Sequence, residues 1–188
     1  MRLIRKRNLV VLDTSLFVNP DARKYFGRSV SEALSNFLDA VKTGNKLICY
    51  MPPSVFAELS NFLEEKLAAS KTALIKKQPP ASYQTTIPAL FVYEFIEEMR
   101  SRINKGLRIA EKYSRKNEHG ENAIAALRVE YRVALREGIV DSKEDFDLIL
   151  LAKQLNATLA TADQGLVMWA QKLGIPAITP EELKHLLV

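Results

Sequence analysis

The sequence predicts an α/β fold: a parallel sheet flanked by helices, carrying an inserted α-helical hairpin as a protrusion. Two observations lead there. At both ends of the chain short apolar runs alternate with helical patterns, and repeated strand–helix units build a parallel sheet with helices on both faces. Between the ends lies a long stretch of helical periodicity. A chain of 188 residues suits one domain bearing a sizeable insertion. The α/β core is expected over residues 1–70 and 141–188, with the helical insertion over 71–140.

Each element has its own signal. Leu9-Val10-Val11-Leu12 is an apolar run closed by Asp13-Thr14-Ser15, a strand buried on both faces and followed by a polar turn. Ala33, Leu34, Phe37, Leu38 and Val41 recur at helical spacing, with Gly44 as a stop. Leu47 to Met51 reads as a second strand, broken by Pro52 and Pro53. Ser54 then caps a helix carrying Val55, Phe56, Leu59 and Phe62. Beyond residue 70 the chain turns polar. One long helix is expected over 88–110, with Val92, Ile96, Met99, Ile103 and Ala110 on one face, and a second over 122–137. Alternation then returns: a helix over 146–155, a strand at Thr158–Thr161, a helix over 166–173 ending at Gly174, a strand at Ile175–Ile178, and a last helix opened by Thr179-Pro180-Glu181-Glu182.

Composition narrows the class. Apolar residues make up 47% of the chain, as in ordinary globular proteins. The net charge of +5 suits a nucleic-acid partner without requiring one. Cys49 is the only cysteine, which excludes an internal disulfide and a cysteine zinc site. The apolar run after Arg2, Arg5, Lys6 and Arg7 is too short for a signal peptide or a membrane span, so a cytoplasmic protein with no membrane partner is expected.

The chemistry lies in the acids. Asp13 ends the first strand and Asp163 a later one, and open parallel sheets form active sites beyond the carboxyl ends of their strands. Asp141 and Asp145 are four residues apart, on one face at a helix start, where the positive helix end tolerates anions. Gathered carboxylates repel, and a divalent cation such as magnesium, which takes hard oxygen ligands, is the usual remedy. Such a site activates water for attack on a phosphodiester. Each acid also has a plainer reading. An Asp after a strand is often a turn or cap residue. Asp141 can be the N-cap of its helix, with Glu144 completing a capping box, and Glu144 and Asp147 read as solvated helix charges. It is the combination that points to metal.

At these residues a resemblance appears. Val11-Leu12-Asp13-Thr14-Ser15 resembles the opening motif of PIN-domain nucleases. Asp145 through Leu148, Ala152, Thr158-Leu159, Thr161 and Asp163 resemble their closing block. Glu58, after Pro53-Ser54-Val55-Phe56, sits where many PIN domains carry a helix-borne acid. The long insertion and the stretch Leu12-Asp13-Thr14-Ser15-Leu16-Phe17-Val18-Asn19-Pro20-Asp21 resemble, more narrowly, the minimal protein-only ribonuclease P family.

That resemblance implies a PIN-like core, catalytic and metal-holding Asp13, Asp141, Asp145 and Asp163, and Glu58 as a further metal ligand. Thr14, Ser15 and Thr161 are expected to orient the carboxylates from behind. It implies Mg2+, with Mn2+ as a substitute, and hydrolysis to a 5′-phosphate and a 3′-hydroxyl. The implied substrate is precursor tRNA, cut at its 5′ leader with no protein or RNA subunit required. Assembly into a homo-oligomer through the helical insertion is also implied. Two alternatives stay open: another PIN ribonuclease, of toxin or ribosomal RNA-processing type, or a non-catalytic RNA-binding assembly module.

The insertion points to RNA independently. At about 100° per residue, Lys105, Arg108, Lys112, Arg115 and Lys116 share one arc, able to meet phosphates, with Ile96, Met99, Ile103, Leu107 and Ala110 opposite. A solvated basic face is the plainer alternative. His119 and His185 are isolated. Cys49 and Trp169 read as core, Tyr113 as packing or stacking, and Gly106 as a site of close packing or a weak point in its helix.

Overall fold

The structure, a computed structural model, describes residues 8–44, 46–63, 69–115, 120–136 and 142–187. In chain order the elements are β1 (Asn8–Leu12), α1 (Ser15–Val18), α2 (Pro20–Arg23), α3 (Val30–Gly44), β2 (Leu47–Met51), α4 (Pro53–Asn61), α5 (Ala69–Thr72) and β3 (Ile75–Lys77). They continue with α6 (Ala89–Arg115), α7 (Glu121–Arg136), α8 (Lys143–Leu155), β4 (Thr158–Ala160), α9 (Gln164–Lys172), β5 (Ala177–Ile178) and α10 (Pro180–Leu187). They divide into two compact units, Met1–Thr86 with Ser142–Val188, and Ile87–Asp141.

The first unit is built on a five-stranded parallel sheet of order β3-β2-β1-β4-β5. The run Val10-Val11-Leu12 is fully buried because β1 is the central strand, paired on both edges and covered on both faces. The chain steps one way from β1 to β2 to β3 and the other way from β4 to β5. Right-handed crossovers therefore place α3 and α9 on opposite faces. The reversal falls between β1 and β4, so the switch point lies where Asp13 and Asp163 leave their strands. The sheet has a strand that the sequence reading lacks: Ile75–Lys77 pairs with β2 inside the stretch read as insertion.

Two packing details fix the surroundings of the switch point. Phe17 of α1, Phe26 of the loop after α2 and Phe37 of α3 form an aromatic cluster: Phe37 meets Phe17 and Phe26 edge-to-face at 5.5 and 5.7 Å, and Phe17 and Phe26 are tilted at 6.1 Å. Such pairs contribute about 0.5–1.5 kcal/mol each beyond burial, and this cluster ties α1 and the loop after α2 onto α3. Gly27 lies so close to α3 that a Cβ there would sit 2.6 Å from the Ala33 backbone nitrogen, so only glycine lets the loop press down on the helix. Trp169 is fully buried. Cys49 is fully buried too, and burial pushes its thiol up to about 12. Gly174, at φ 68°, closes α9 as its position in the sequence predicts. Ser54 does not cap α4, which starts from Pro52 and Pro53.

The second unit is a pair of helices. α6 packs on α7 through a face centred on Arg102, Gly106 and Ile109, all buried. Gly106 makes the approach possible, since a Cβ there would meet the Tyr131 ring at 2.6 Å. The apolar stripe is a different face: Val92, Ile96, Met99 and Ile103 are exposed, Ile103 at 58%, as is Leu107 beside them, while Ala110 at the end of the stripe is half-buried. Among the described residues no helix is long and apolar enough to cross a membrane.

Candidate active site

The site is built outward from Asp13. Its backbone N–H donates to Ala160 O at 3.1 Å, extending the β1–β4 ladder by one rung. That locks the residue against the end of β4, with a side chain only 5% exposed. Asp13 Oδ2 accepts from the Ser15 hydroxyl and from Thr161 Oγ1, the latter at 2.6 Å. Thr14 Oγ1 reaches Oδ1 at 3.4 Å, a longer contact that leaves this oxygen the less engaged of the two. Ser15 and Thr161 are themselves fixed: Ser15 Oγ accepts from Ala162 N at 2.9 Å, and Thr161 Oγ1 accepts from Asp163 N at 2.9 Å. The turn after β1 and the turn after β4 thus hold one carboxylate between them.

The other acids surround this point unequally. Asp163 is exposed and caps α9, its Oδ1 accepting from Gly165 N at 2.6 Å and Leu166 N at 3.2 Å. The cap reading holds for it, and the cap uses only Oδ1. Asp145 is half-buried in the first turn of α8. The N-cap of that helix is Ser142, which accepts from Asp145 N at 3.1 Å, so Asp141 and Glu144 are not its capping pair. Asp141 itself lies outside the described residues. Glu58, exposed on α4, is joined to the site by Thr14 Oγ1, which donates to its Oε2 at 3.5 Å. Two acids that read as solvated charges are engaged instead. Asp147 accepts from Ser54 Oγ at 2.9 Å, and Glu144 lies close enough to Glu58 to act on its charge.

Electrostatics mark the cost of this gathering. Burial, with the nearby Asp163 charge adding to it, holds the Asp13 carboxyl above its ordinary range against the opposing pull of the Ser15 and Thr161 hydrogen bonds. Glu58 is raised as well, by partial burial first and then by the Asp13 and Glu144 charges. Among the described residues no three metal-ligating side chains lie close enough together to hold an ion unaided. The donor set nevertheless fits a hard cation. Every group around Asp13 is an oxygen donor, and mutual repulsion of Asp13 and Asp163 is what a divalent ion relieves.

The basic arc of the second unit is partly committed. Lys105, Arg108, Lys112 and Arg115 are exposed, but Lys112 Nζ pairs with Glu130 of α7 at 2.8 Å. Arg102 is 3% exposed, with its guanidinium on Glu98 at 3.0 Å. Lys116 and His119 lie outside the described residues. Sequence reading passed over a second basic surface, Arg23, Lys24 and Arg28 around Tyr25. Its signal was there: three cations and two aromatics within six residues, ten residues beyond a strand-end aspartate.

A parallel sheet with a buried aspartate at its switch point defines the class, and residues 9–188 match the model of the PINc domain ribonucleases. The chain is 47% identical over 191 residues to the RNA-free ribonuclease P of Thermodesulfovibrio yellowstonii, spanning 100% of this chain and 97% of that protein. It is 48% identical over 183 residues to the RNA-free ribonuclease P of Thermococcus kodakarensis, spanning 94% and 92%. To that of Pyrococcus furiosus it is 47% identical over 182 residues, spanning 94% and 91%. The chain belongs to the RNA-free ribonuclease P family of PIN-domain endoribonucleases.

Proposed function

We propose that this endoribonuclease removes the 5′ leader of precursor tRNA, hydrolysing one phosphodiester to a 5′-phosphate and a 3′-hydroxyl, with no RNA subunit. The observation that carries the reading is the buried Asp13, gripped by Ser15 and Thr161 from two strand ends beside Asp163. Asp13, Asp145 and Asp163 would hold Mg2+, or Mn2+ in its place, with Asp141 and Glu58 completing the set. The ion, when bound, supplies the positive charge that activates water and steadies the departing oxygen. The protein supplies the rest. Ser15 and Thr161 fix the Asp13 carboxylate in one orientation and favour its charged form against the effect of burial, Thr14 ties Glu58 to it, and the α9 cap aims Asp163.

The helical unit serves two further roles. The exposed cations Lys105, Arg108 and Arg115, joined by Lys112 and Lys116, suit the phosphates of a structured RNA. The stripe Val92, Ile96, Met99, Ile103 and Leu107 suits a contact between copies of the chain, because α7 covers a different face of α6. The direct test uses a 5′-labelled precursor tRNA with and without magnesium. A single labelled leader fragment, formed only with the metal, is expected. Equal cutting of unstructured RNA would assign the chain a broader ribonuclease role.

A further inference from the structure

A groove on the nuclease unit lies outside the acid site. Arg23 at the end of α2 and Lys24, Tyr25, Phe26, Gly27 and Arg28 in the loop after it line the groove, with Glu32 and Asn36 on α3 and Lys184 on α10. Four cations thus face one cavity against a single acid. That acid is already engaged, since Glu32 Oε2 accepts the Arg28 backbone N–H at 2.8 Å. Lys24 lies near Asp21 at 3.7 Å, an exposed pair of little strength. Among the described residues Arg28 and Lys184 have no carboxylate within ion-pairing distance. Like charges from two segments far apart in sequence converge here with little internal compensation, which favours an anion as occupant.

Position says which anion. The groove's main segment follows Asp13 in the chain, separated from it by the short helices α1 and α2. Ser15, which donates to Asp13, opens α1, and the Arg23 guanidinium lies 3.5 Å from the carbonyl of Val18 at the other end of that single turn. The groove therefore begins one helical turn from the reacting carboxylate, within reach of the neighbouring nucleotides of a bound strand. Tyr25 is half-buried in the lining, with Lys24 Nζ 5.8 Å from its ring centroid. A ring recessed in a cationic groove suits an unpaired strand, whose bases can stack while its phosphates meet the cations.

We propose that this groove binds the single-stranded 5′ leader, gripping its phosphates with Arg23, Arg28 and Lys184 and stacking a base on Tyr25. The assignment rests on the ribonuclease P reading above, which puts the leader at the Asp13 end of the sheet.

The test compares two precursors, one with a leader of a single nucleotide and one with a long leader, titrated by fluorescence anisotropy in EDTA at several salt concentrations. Arg28→Gln with Lys184→Gln, both exposed positions, should leave the melting temperature unchanged. On the long-leader precursor, loss of two single-strand phosphate contacts makes the salt slope shallower by about 1.4, which is about 25-fold weaker binding at 0.1 M salt. Arg28→Lys with Lys184→Arg should bind as the parent does. On the single-nucleotide leader the double neutralisation should change nothing. Equal losses on both precursors would move the groove's contact to the tRNA body and overturn the leader assignment. No loss on either would overturn the groove as an RNA surface. Cleavage by the parent chain in magnesium is scored separately: if it releases no leader from either precursor, the ribonuclease P reading fails, whatever the groove binds.

Discussion

Thr161 donates to Asp13 Oδ2 at 2.6 Å across 148 residues of chain, so the carboxylate at the end of one strand is held by a hydroxyl at the end of its neighbour. Replacing Thr161 by Val removes the donor and keeps the shape. A loss of about 10–100-fold in single-turnover cleavage is expected, as for other groups that orient a metal-holding side chain. Asp13→Asn should lose more than that at saturating magnesium, because it removes the charge itself. Parent-like rates in both variants would remove Asp13 from the site.

The raised carboxyls of Asp13 and Glu58 set the sign of a pH effect. A folded-state pKa above the unfolded value contributes stability that is fully present below the unfolded value, about 4 for these acids, and lost as pH rises through the folded one. The metal-free protein should therefore gain stability from these two groups on acidification from neutral pH. Asp13→Asn should raise the melting temperature in EDTA at neutral pH, with the advantage shrinking as the pH falls. Melting scans of both proteins across that range decide the matter, and an advantage constant with pH would contradict the assignment.

The exposed stripe on α6 makes a claim about mass. Ile103 is 58% exposed, so Ile103→Glu disturbs no packing within the helical unit. If the stripe joins copies of the chain, light scattering should show the parent as an assembly and the variant at lower mass. A parent that is monomeric at micromolar concentration would contradict this.

The basic arc can be tested more cleanly than its sequence suggests. Lys112 is a poor choice, since neutralising it also breaks its ion pair with Glu130 of α7. Arg108→Gln with Arg115→Gln avoids that. If both touch phosphates of a paired region, the salt slope for precursor tRNA should fall by about 1.8, with little change in the single-turnover rate at saturating enzyme. An unchanged slope would mark this face as merely solvated.

Much of this was legible because burial leaves a pattern. The central strand announced itself as Leu9 to Leu12, and the strand-end acids followed from where such runs stop. The strand β3 was not legible. Ile-Lys-Lys on a sheet edge buries only Ile75, and its pairing comes from the backbone of β2 rather than from any apolar alternation. The stripe on α6 was legible as a face but not as the uncovered one. Gly106 settles that by letting Tyr131 close on a neighbouring face, a choice that depends on the shape of α7. Within the site, Ser15 and Thr161 stand beside strand-end acids and were readable as their supports. Glu144 facing Glu58 was not, because it depends on how α4 meets α8.

The β1–β4 seam also bears on when the chain brings its strand-end acids together. β1 can find β2 early in synthesis, but its other edge waits for a strand that follows both long helices. Contacts so distant in sequence form late. Until β4 docks, Asp13 has neither its Thr161 donor nor Asp163 nearby. A partly synthesised chain therefore carries the aspartate without the hydroxyl that orients it, and the joining of the two strand ends is one of the last events of folding.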